Sequence, residues 1–338
     1  MQKITIVGLG YIGSSLGMAL RAAHNGKAEL VGYDADPKTH NEAKKNGAVD
    51  RSEWNLDDAV RDSDLTVLAV PAAAVKDVFE AIAPHLKPGA VVTDTASTKR
   101  QVLDWADEIL PKHAGFVGGD PLVKPGAAGK KDASPAIFQG TKYAIVAGAK
   151  APGDAVSAVV RMVESIGAKA FFVDRDEHDS FVTAMRGLPT VLSAALMLST
   201  AKSPSWREIA QFAGDEFDRM THLADTDPAL THGMLRTNAD MMTHWIDELI
   251  GQLQQLRSMA QDESRDSSDG PLANALIAAW EARARMEAGI SQSNTLREPL
   301  PTASDGMMQM FLGSAASKML GRERKKSDPH SYDRRRLN

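Results

Sequence analysis

ITIVGLGYIG, residues 4–13, is the stretch that decides the fold of this chain. An apolar strand pattern runs into glycines at the spacing GxGxxG, and a helical pattern follows over residues 14–23. In this motif the first glycine permits a tight turn, the second lets the backbone approach a pyrophosphate, and the third allows the helix to pack closely on the strand. The stretch therefore predicts a dinucleotide-binding turn at the end of a buried strand.

The residues around this turn form the predicted cofactor site. A helix N-terminus favours an anion such as a pyrophosphate, because its backbone N–H groups and its dipole both face the ligand. Asp34, at the end of the second apolar run, would accept hydrogen bonds from ribose hydroxyls and, with Asp36, would repel a ribose phosphate, so NAD is favoured over NADP. The predicted cofactor contacts are Gly8, Gly10, Tyr11, Ile12, Gly13, Asp34, Val70 and Pro71.

Strand and helix patterns alternate in the first half of the chain, and the strand pattern ends near residue 176. Alternation of this kind predicts an α/β Rossmann domain with a doubly wound, mostly parallel sheet over residues 1–175. Residues 176–292 predict an all-α helical domain that takes part in substrate binding and dimerisation. Within it, Gly187 and Pro189 interrupt an apolar segment and predict a kink or an irregular turn. The polar residues 293–338 predict a partly disordered basic tail.

Composition narrows the functional classes. The chain has 338 residues, of which 43% are hydrophobic and 25% charged, as expected for a soluble protein of about two domains. The net charge of -5 argues against a nucleic-acid partner, and no apolar run predicts a membrane span. The N-terminus lacks the pattern of an export signal, so a cytoplasmic location is expected. Cysteine is absent and the histidines lack ligand-like spacing, so no metal site is expected.

An apolar stripe follows the helix predicted over residues 240–262, with apolar side chains three and four residues apart. Its length and methionine content are compatible with core packing inside the domain or with burial against a second subunit. Both alternatives stay open at this point. A Rossmann half followed by a helical half is a common plan of dimeric dehydrogenases, so a homodimer through the helical domain is expected.

Several segments together resemble the prephenate dehydrogenase family, the NAD(P)-dependent enzymes of tyrosine biosynthesis. The matching segments are VGLGYIGSSLGMAL at 7–20, DTASTK at 94–99, GGDPLVKPG at 118–126, EHDSFVTAMRGLPTVLSAAL at 177–196 and, more weakly, FDRMTHLA at 217–224. The resemblance implies that a hydride leaves the ring carbon bearing the hydroxyl group, that a histidine takes the hydroxyl proton, and that carbon dioxide departs as the ring becomes aromatic. It also implies that Ser97 positions the hydroxyl group and that cationic residues hold the substrate carboxylates.

The substrate side departs from the family pattern at three places. Asp120 stands where the family has its catalytic histidine, and the SHLPH-like segment of the family reads RGLPT from Arg186 to Thr190 here. His222 stands where the family has an arginine that binds a substrate carboxylate. Because the changes all fall on the substrate side while the cofactor motif is intact, they predict an altered specificity. Asp120 is either a general base or a turn residue that binds its own backbone.

The candidate catalytic residues are therefore Asp120 and Ser97, and the candidate substrate-binding residues are Lys124, Arg186, Thr190 and His222. The two new cations, Lys124 and Arg186, are suited to a carboxylate or phosphate, although Lys124 could instead pair with Asp120 or lie in solvent. The adjacent pair His178 and Asp179 is expected to serve in packing and helix capping, and less so in catalysis.

The predicted function is an NAD-dependent oxidoreductase that oxidises a small hydroxylated carboxylic acid, namely prephenate, arogenate or a related cyclic acid. One alternative is a noncatalytic NAD-binding dimer that acts as a sensor or scaffold. Another is a reductase of an imine or ketone, in which Asp120 would donate a proton and would need a raised pKa.

Overall fold

The computed structural model describes residues 2–123, 133–225, 228–261 and 270–289. Within these ranges the strands form one sheet in the first half of the chain. The strands are β1 (Gln2–Val7), β2 (Ala28–Tyr33), β3 (Arg51–Ser52), β4 (Leu65–Leu68), β5 (Val91–Asp94), β6 (Gly115–Pro121), β7 (Lys142–Val146) and β8 (Lys169–Phe172). Their order across the sheet is β3-β2-β1-β4-β5-β6-β7-β8, and every neighbouring pair is parallel except β6 with β7.

Helices connect these strands. The helices of the first half are α1 (Tyr11–His24), α2 (Pro37–Lys45), α3 (Leu56–Val60), α4 (Val75–Ile82), α5 (Arg100–Ile109) and α6 (Gly153–Ser165). β1, α1 and β2 form the parallel unit that the glycine motif predicts, and the order of the first six strands is that of a doubly wound Rossmann sheet. The predicted α/β architecture is therefore confirmed.

The apolar core lies on both faces of the sheet, because successive side chains of a strand point to opposite faces. On β1, Ile4 and Ile6 pack into one cluster together with Leu16 of α1. The adjacent Val7 packs into a second cluster together with Phe79 of α4. Burial on both faces stabilises the sheet. Because β1, β4, β5 and β6 are parallel, their carboxyl ends lie side by side at one edge.

The described residues after 174 are helical and contain no strand. Their helices are α7 (Arg175–Val182), α8 (Leu188–Ala201), α9 (Trp206–Ile209), α10 (Asp215–Thr221), α11 (Pro228–Thr237), α12 (Ala239–Gln261) and α13 (Pro271–Glu287). A π-helical turn, Thr183–Gly187, joins α7 to α8 at the place where an irregular turn is expected. The chain divides into two compact units, residues 1–248 and 249–338, and all of the site described below lies in the first.

The continuous helix Arg175–Ala201 has an exposed apolar surface. By length and composition it is apolar enough to cross a membrane, and 28% of its most apolar window is buried. Phe181, Met185 and Leu198 are among its exposed side chains. The same helix carries Arg186, whose side chain is partly exposed. A partner that buries the apolar side chains must therefore leave this cation accessible.

Candidate active site

The glycine turn after β1 leaves room for a dinucleotide. Gly8 has a φ of +93°, and a Cβ atom there would lie 2.4 Å from the carbonyl oxygen of Ala69. A Cβ atom on Gly13 would lie 1.8 Å from the carbonyl oxygen of Gly8, so α1 approaches the turn as closely as glycine permits. A Cβ atom on Gly10 would meet no atom within 4 Å. Gly10 therefore faces open space, as a residue in contact with a pyrophosphate must.

A cavity of about 510 Å³ lies at this turn. It is lined by Gly8, Gly10, Asp34, Val70 and Pro71, and by Tyr33, Leu56 and Val78 beside them. The Asp34 carboxylate accepts hydrogen bonds from the backbone N–H groups of Leu9, at 2.7 Å, and Asp36, at 2.9 Å. The other predicted contacts, Tyr11, Ile12 and Gly13, form the first turn of α1 behind the cavity. These residues fit NAD, because a carboxylate held at the end of β2 suits ribose hydroxyls and repels a ribose phosphate.

The loop after β5 is held by a buried ion pair. Lys99 and Asp94, the last residue of β5, are both fully buried, and the Lys99 ammonium group contacts the Asp94 carboxylate. Asp94 also accepts hydrogen bonds from the backbone N–H groups of Gly119 and Ala96, each at 3.0 Å. Burial raises the pKa of Asp94, and the Lys99 cation opposes this rise. Ser97 lies half-buried on the loop fixed in this way.

Asp120 lies in β6, opposite Ala144 of β7, and is 2% exposed. The preceding glycine makes this position possible, because a Cβ atom on Gly119 would lie 2.7 Å from the Asp94 carbonyl oxygen and 2.8 Å from the Tyr143 ring. The Asp120 carboxylate contacts side chains of the helical half, as described next. The alternative in which Asp120 is a turn residue bound to its own backbone is therefore wrong.

Asp120, His178 and Asp179 form a continuous buried group, the carboxylate–imidazole array. The Nε2 atom of His178 lies 3.3 Å from Oδ2 of Asp120, and its Nδ1 atom lies 2.8 Å from Oδ1 of Asp179. Asp179 accepts hydrogen bonds from the backbone N–H groups of Lys99, at 2.6 Å, and Arg100, at 3.0 Å. Asp179 is thus a helix-capping residue, as expected, but the helix that it caps is α5 and not its own helix, α7.

The charges of the array support one another. Burial alone would lower the pKa of His178, but hydrogen bonds to Asp120 and Asp179 outweigh it, and the pKa of His178 is raised. Burial would raise the pKa of Asp179, but its hydrogen bonds to His178 and to the two backbone N–H groups lower it. Because both ring nitrogens face carboxylate oxygens, the imidazolium form donates both of its N–H groups and is the best satisfied form of the ring.

Arg186 connects the buried array to solvent. It lies in the π-helical turn, a local irregularity that often marks functional sites. Its Nη1 atom lies 3.4 and 3.3 Å from the two carboxylate oxygens of Asp120, and its side chain is 35% exposed. Thr190 lies one turn further along and donates a hydrogen bond to the Arg186 carbonyl oxygen at 2.9 Å. Arg186 is therefore a cation with one face on Asp120 and another open to solvent.

Two other candidates lie away from the array. His222 is exposed, on the short helical turn His222–Asp225, and among the described residues it has no hydrogen bond or ion pair with the array. Lys124 lies outside the described residues, so its predicted role stays a prediction. The contact of His178 with Asp120 is not predicted by the sequence; the one signal for it is the adjacent His178-Asp179 pair, which is buried in the charged first turns of α7.

A glycine turn beside a dinucleotide-sized cavity, with a buried acid near the end of β6 and a buried imidazole of α7 in contact with it, defines the class of nicotinamide-dependent dehydrogenases. The family models described as "Prephenate dehydrogenase, nucleotide-binding domain" and "Prephenate dehydrogenase, dimerization domain" match residues 16–172 and 174–273. Together they span most of the chain, which belongs to the prephenate dehydrogenase family. It is an NAD-dependent dehydrogenase, and the glycine turn with Asp34 has the geometry of a cradle that would hold the cofactor.

Relatives and solved structures agree with this assignment. The chain is 26% identical to the prephenate dehydrogenase of Bacillus subtilis over 79% of this chain and 72% of the relative. It is 28% identical to the cyclohexadienyl dehydrogenase of Zymomonas mobilis over 78% of this chain and 90% of the relative. The structure of prephenate dehydrogenase from A. aeolicus in complex with hydroxyphenyl propionate and NAD+ superposes with a TM-score of 0.77 at 23% identity, covering 85% of this chain and 98% of that one. The predicted oxidation is supported over the noncatalytic and reductase alternatives.

The glycine turn predicts the effect of a single methyl group. Gly10 has a φ of -68°, which alanine also adopts, so Gly10→Ala is expected to leave the free energy of unfolding unchanged. Its methyl group would occupy space in the cavity, so NAD affinity measured by calorimetry is expected to fall at least about tenfold. Gly153→Ala is the matched control, because a Cβ atom there also meets no atom within 4 Å but lies at the start of α6. Equal NAD affinity of all three proteins would contradict the cradle.

Proposed function

We propose that this enzyme oxidises prephenate, arogenate or a closely related cyclic acid that carries a ring hydroxyl group, in tyrosine biosynthesis or a specialised pathway that branches from the same acids. The observation that carries the proposal is the contact of Arg186 with Asp120, next to the loop of Ser97 and at the strand edge that holds the cofactor cradle. A base and an exposed cation at one place suit a substrate that has both a hydroxyl group and carboxylates.

Each residue has a separate role in this proposal. Arg186 binds a substrate carboxylate with the N–H groups that face solvent, because a guanidinium group can hold two acids at once. Thr190 adds a polar contact one helical turn away, and His222 and Lys124 remain further substrate-binding candidates. Ser97 positions the ring hydroxyl group, and Asp120 takes its proton. When bound, NAD accepts the hydride from the carbon that bears the hydroxyl group.

A carboxylate at the base position raises the question of a ring amino group in place of the hydroxyl group. An ammonium group would meet the Arg186 cation at Asp120, because the Nη1 atom of Arg186 lies 3.4 and 3.3 Å from the two carboxylate oxygens. Like charges at this distance repel each other strongly in a buried site. A neutral hydroxyl group has no such cost, so the electrostatics favour a hydroxylated substrate over its amino analogue.

We also propose that the enzyme is cytoplasmic and forms a homodimer through the helical residues 176–292, and the exposed apolar side chains of Arg175–Ala201 support the homodimer. The matched family model over residues 174–273 is a dimerization domain, and exposed Phe181 and Leu198 are the type of side chain that subunit contacts bury. The Rossmann part, 1–175, then carries the cofactor. Light scattering on the full chain measures the oligomeric state, and a monomer would contradict this part of the proposal.

The proposed reaction is tested by the formation of NADH from NAD with the purified protein. Prephenate and arogenate are offered first, and the analogue with a ring amino group serves as the comparison. Turnover of a hydroxylated acid, with little or none of the amino analogue, is expected. Preference for the amino analogue would contradict the electrostatic argument, and no turnover of any of the three by a protein that binds NAD in calorimetry would contradict the substrate assignment.

Asp120→Asn is expected to lower kcat by about 10²-fold to 10⁴-fold, the usual contribution of a general base, because an amide cannot accept the hydroxyl proton. NAD affinity in calorimetry is expected to stay unchanged, since Asp120 is not among the residues that line the cofactor cavity. Asn has the shape of Asp, so the variant separates charge from packing. Full turnover in Asp120→Asn would exclude Asp120 as the base.

Arg186→Met is expected to raise KM at least about tenfold, because methionine keeps the length of the side chain but removes the cation that holds a substrate carboxylate. Arg186→Lys retains the charge without the planar fork and is expected to give an intermediate KM. Steady-state kinetics of both variants give the comparison. A KM for Arg186→Met equal to that of the wild type would place the carboxylate elsewhere.

A further inference from the structure

We infer that His178 holds the proton that Asp120 takes from the substrate, so that the two side chains together form the base of this enzyme. The inference rests on the proposed oxidation of a hydroxylated acid. It extends that proposal to a residue of α7 that no matched motif assigns to the chemistry. His178 acts through Asp120 and touches no substrate, so it is a positioning residue.

Among the described residues, His178 is the hydrogen-bonded neighbour of Asp120 that can take up a proton. The Asp120 carboxylate contacts the half-buried Arg186 and the buried His178, with 3.3 Å between Oδ2 and Nε2. Arginine stays protonated at all relevant pH values and cannot accept. The side chains of His178 and Asp120 are 2% and 3% exposed, so water does not compete for the contact.

Asp179 makes His178 a stronger base than a free imidazole. Its carboxylate lies 2.8 Å from Nδ1 and is fixed by the backbone N–H groups of Lys99 and Arg100, so its charge stays in place. Asn238 and Thr98 are the polar neighbours of its second oxygen. A fixed negative charge on one ring nitrogen favours protonation of the other. Asp120 and His178 together are therefore a stronger base than a single carboxylate.

The remaining charges near the ring come from two other elements. Lys99, on the loop after β5, opposes protonation of His178, but its charge is compensated by the contact with buried Asp94. Arg186, in the π-helical turn, contacts both carboxylate oxygens of Asp120, including the Oδ2 atom that faces the ring. With His178 neutral, Asp120, Asp179 and Arg186 sum to one negative charge, which favours uptake of one proton.

Before the reaction of a ring hydroxyl group, the neutral imidazole of His178 carries its proton on Nδ1, which donates a hydrogen bond to Asp179. The O–H bond breaks and its proton moves to Asp120. Asp120 then passes a proton on to Nε2 of His178. The electron pair of the O–H bond forms the carbonyl group as the hydride leaves the same carbon. When carbon dioxide departs, its bonding pair makes the ring aromatic, and the phenolate oxygen takes the proton back from the array.

The test is the pH dependence of kcat/KM for the wild type and for His178→Gln. In the wild type, activity is expected to rise with pH through a group that titrates above 6.5, the ordinary pKa of histidine. In His178→Gln the rise is expected to move towards the carboxylate range, with a plateau about 10²-fold lower, because Asp120 alone is the weaker base. His113→Gln is the matched control, since it removes a histidine outside the array. The His113 ring contacts the backbone carbonyl oxygen of Leu86.

A purely structural role predicts the opposite direction. If the imidazolium only held Asp120 ionised, its loss would raise the pKa of the base, and the rise of activity would move to higher pH. Such a shift, or an unchanged profile, would overturn the inference.

A second measurement needs no substrate and no activity of a variant. Histidine ring resonances of the full-length wild type are titrated by NMR, and the His178 resonance is assigned by its absence in His178→Gln or, if that variant does not fold, in His178→Asn. Titration above 6.5 is expected, and titration below 6.5 would overturn the inference. Failure of all substrates in the NADH assay would instead count against the proposed function, so the two failures are distinguishable.

Discussion

The carboxylate of Asp179 accepts two backbone hydrogen bonds at the start of α5, and the geometry of the site depends on this contact. A buried carboxylate must be compensated, and the free N–H groups and the positive end of a helix do so efficiently. The contact fixes α7 against the loop after β5. Arg100 strengthens the same junction through ion pairs with Asp176, at 3.1 Å, and Asp240, at 2.7 Å. As a result, His178 has one position, directly beside Asp120.

The ion pair of Lys99 with Asp94 holds the other side of the junction. Burial of two charges costs desolvation energy, which good geometry and additional hydrogen bonds offset. Asp94 has those bonds, since Gly119 and Ala96 each donate one to it. The same Gly119 leaves the space that Tyr143 and the Asp94 carbonyl group occupy. A carboxylate at position 120 is therefore compatible with a buried strand, because the surrounding backbone and cations are already arranged to stabilise negative charge.

The sequence alone predicts the glycine turn and the position of Asp34, but it does not predict the contacts among Asp120, His178 and Arg186. The reason is physical. The turn at Gly8 and the position of Asp34 at the end of β2 are local features, so spacing and apolar periodicity predict them. The contact of Asp120 with His178 joins residues 58 positions apart and arises from the register of β6 together with the capping of α5. Neither leaves a periodic pattern. Gly187 and Pro189 did indicate an irregular turn, but not that a π-helical turn would direct Arg186 towards Asp120.

The departure from the family pattern lies at position 120, because the family's adjacent His-Asp pair is kept here as His178 and Asp179. In the family pattern a histidine stands on the segment that is β6 here, whereas in this chain that position is a carboxylate, and the Nε2 atom of the α7 imidazole lies 3.3 Å from it. The same carboxylate pairs with Arg186. Arg186 is consequently paired with a carboxylate before any ligand binds. In the proposed reaction, a proton that enters the array would offset the negative charge on Asp120, and Arg186 would then interact more strongly with a substrate carboxylate. Base strength and carboxylate binding would thereby be coupled through Asp120.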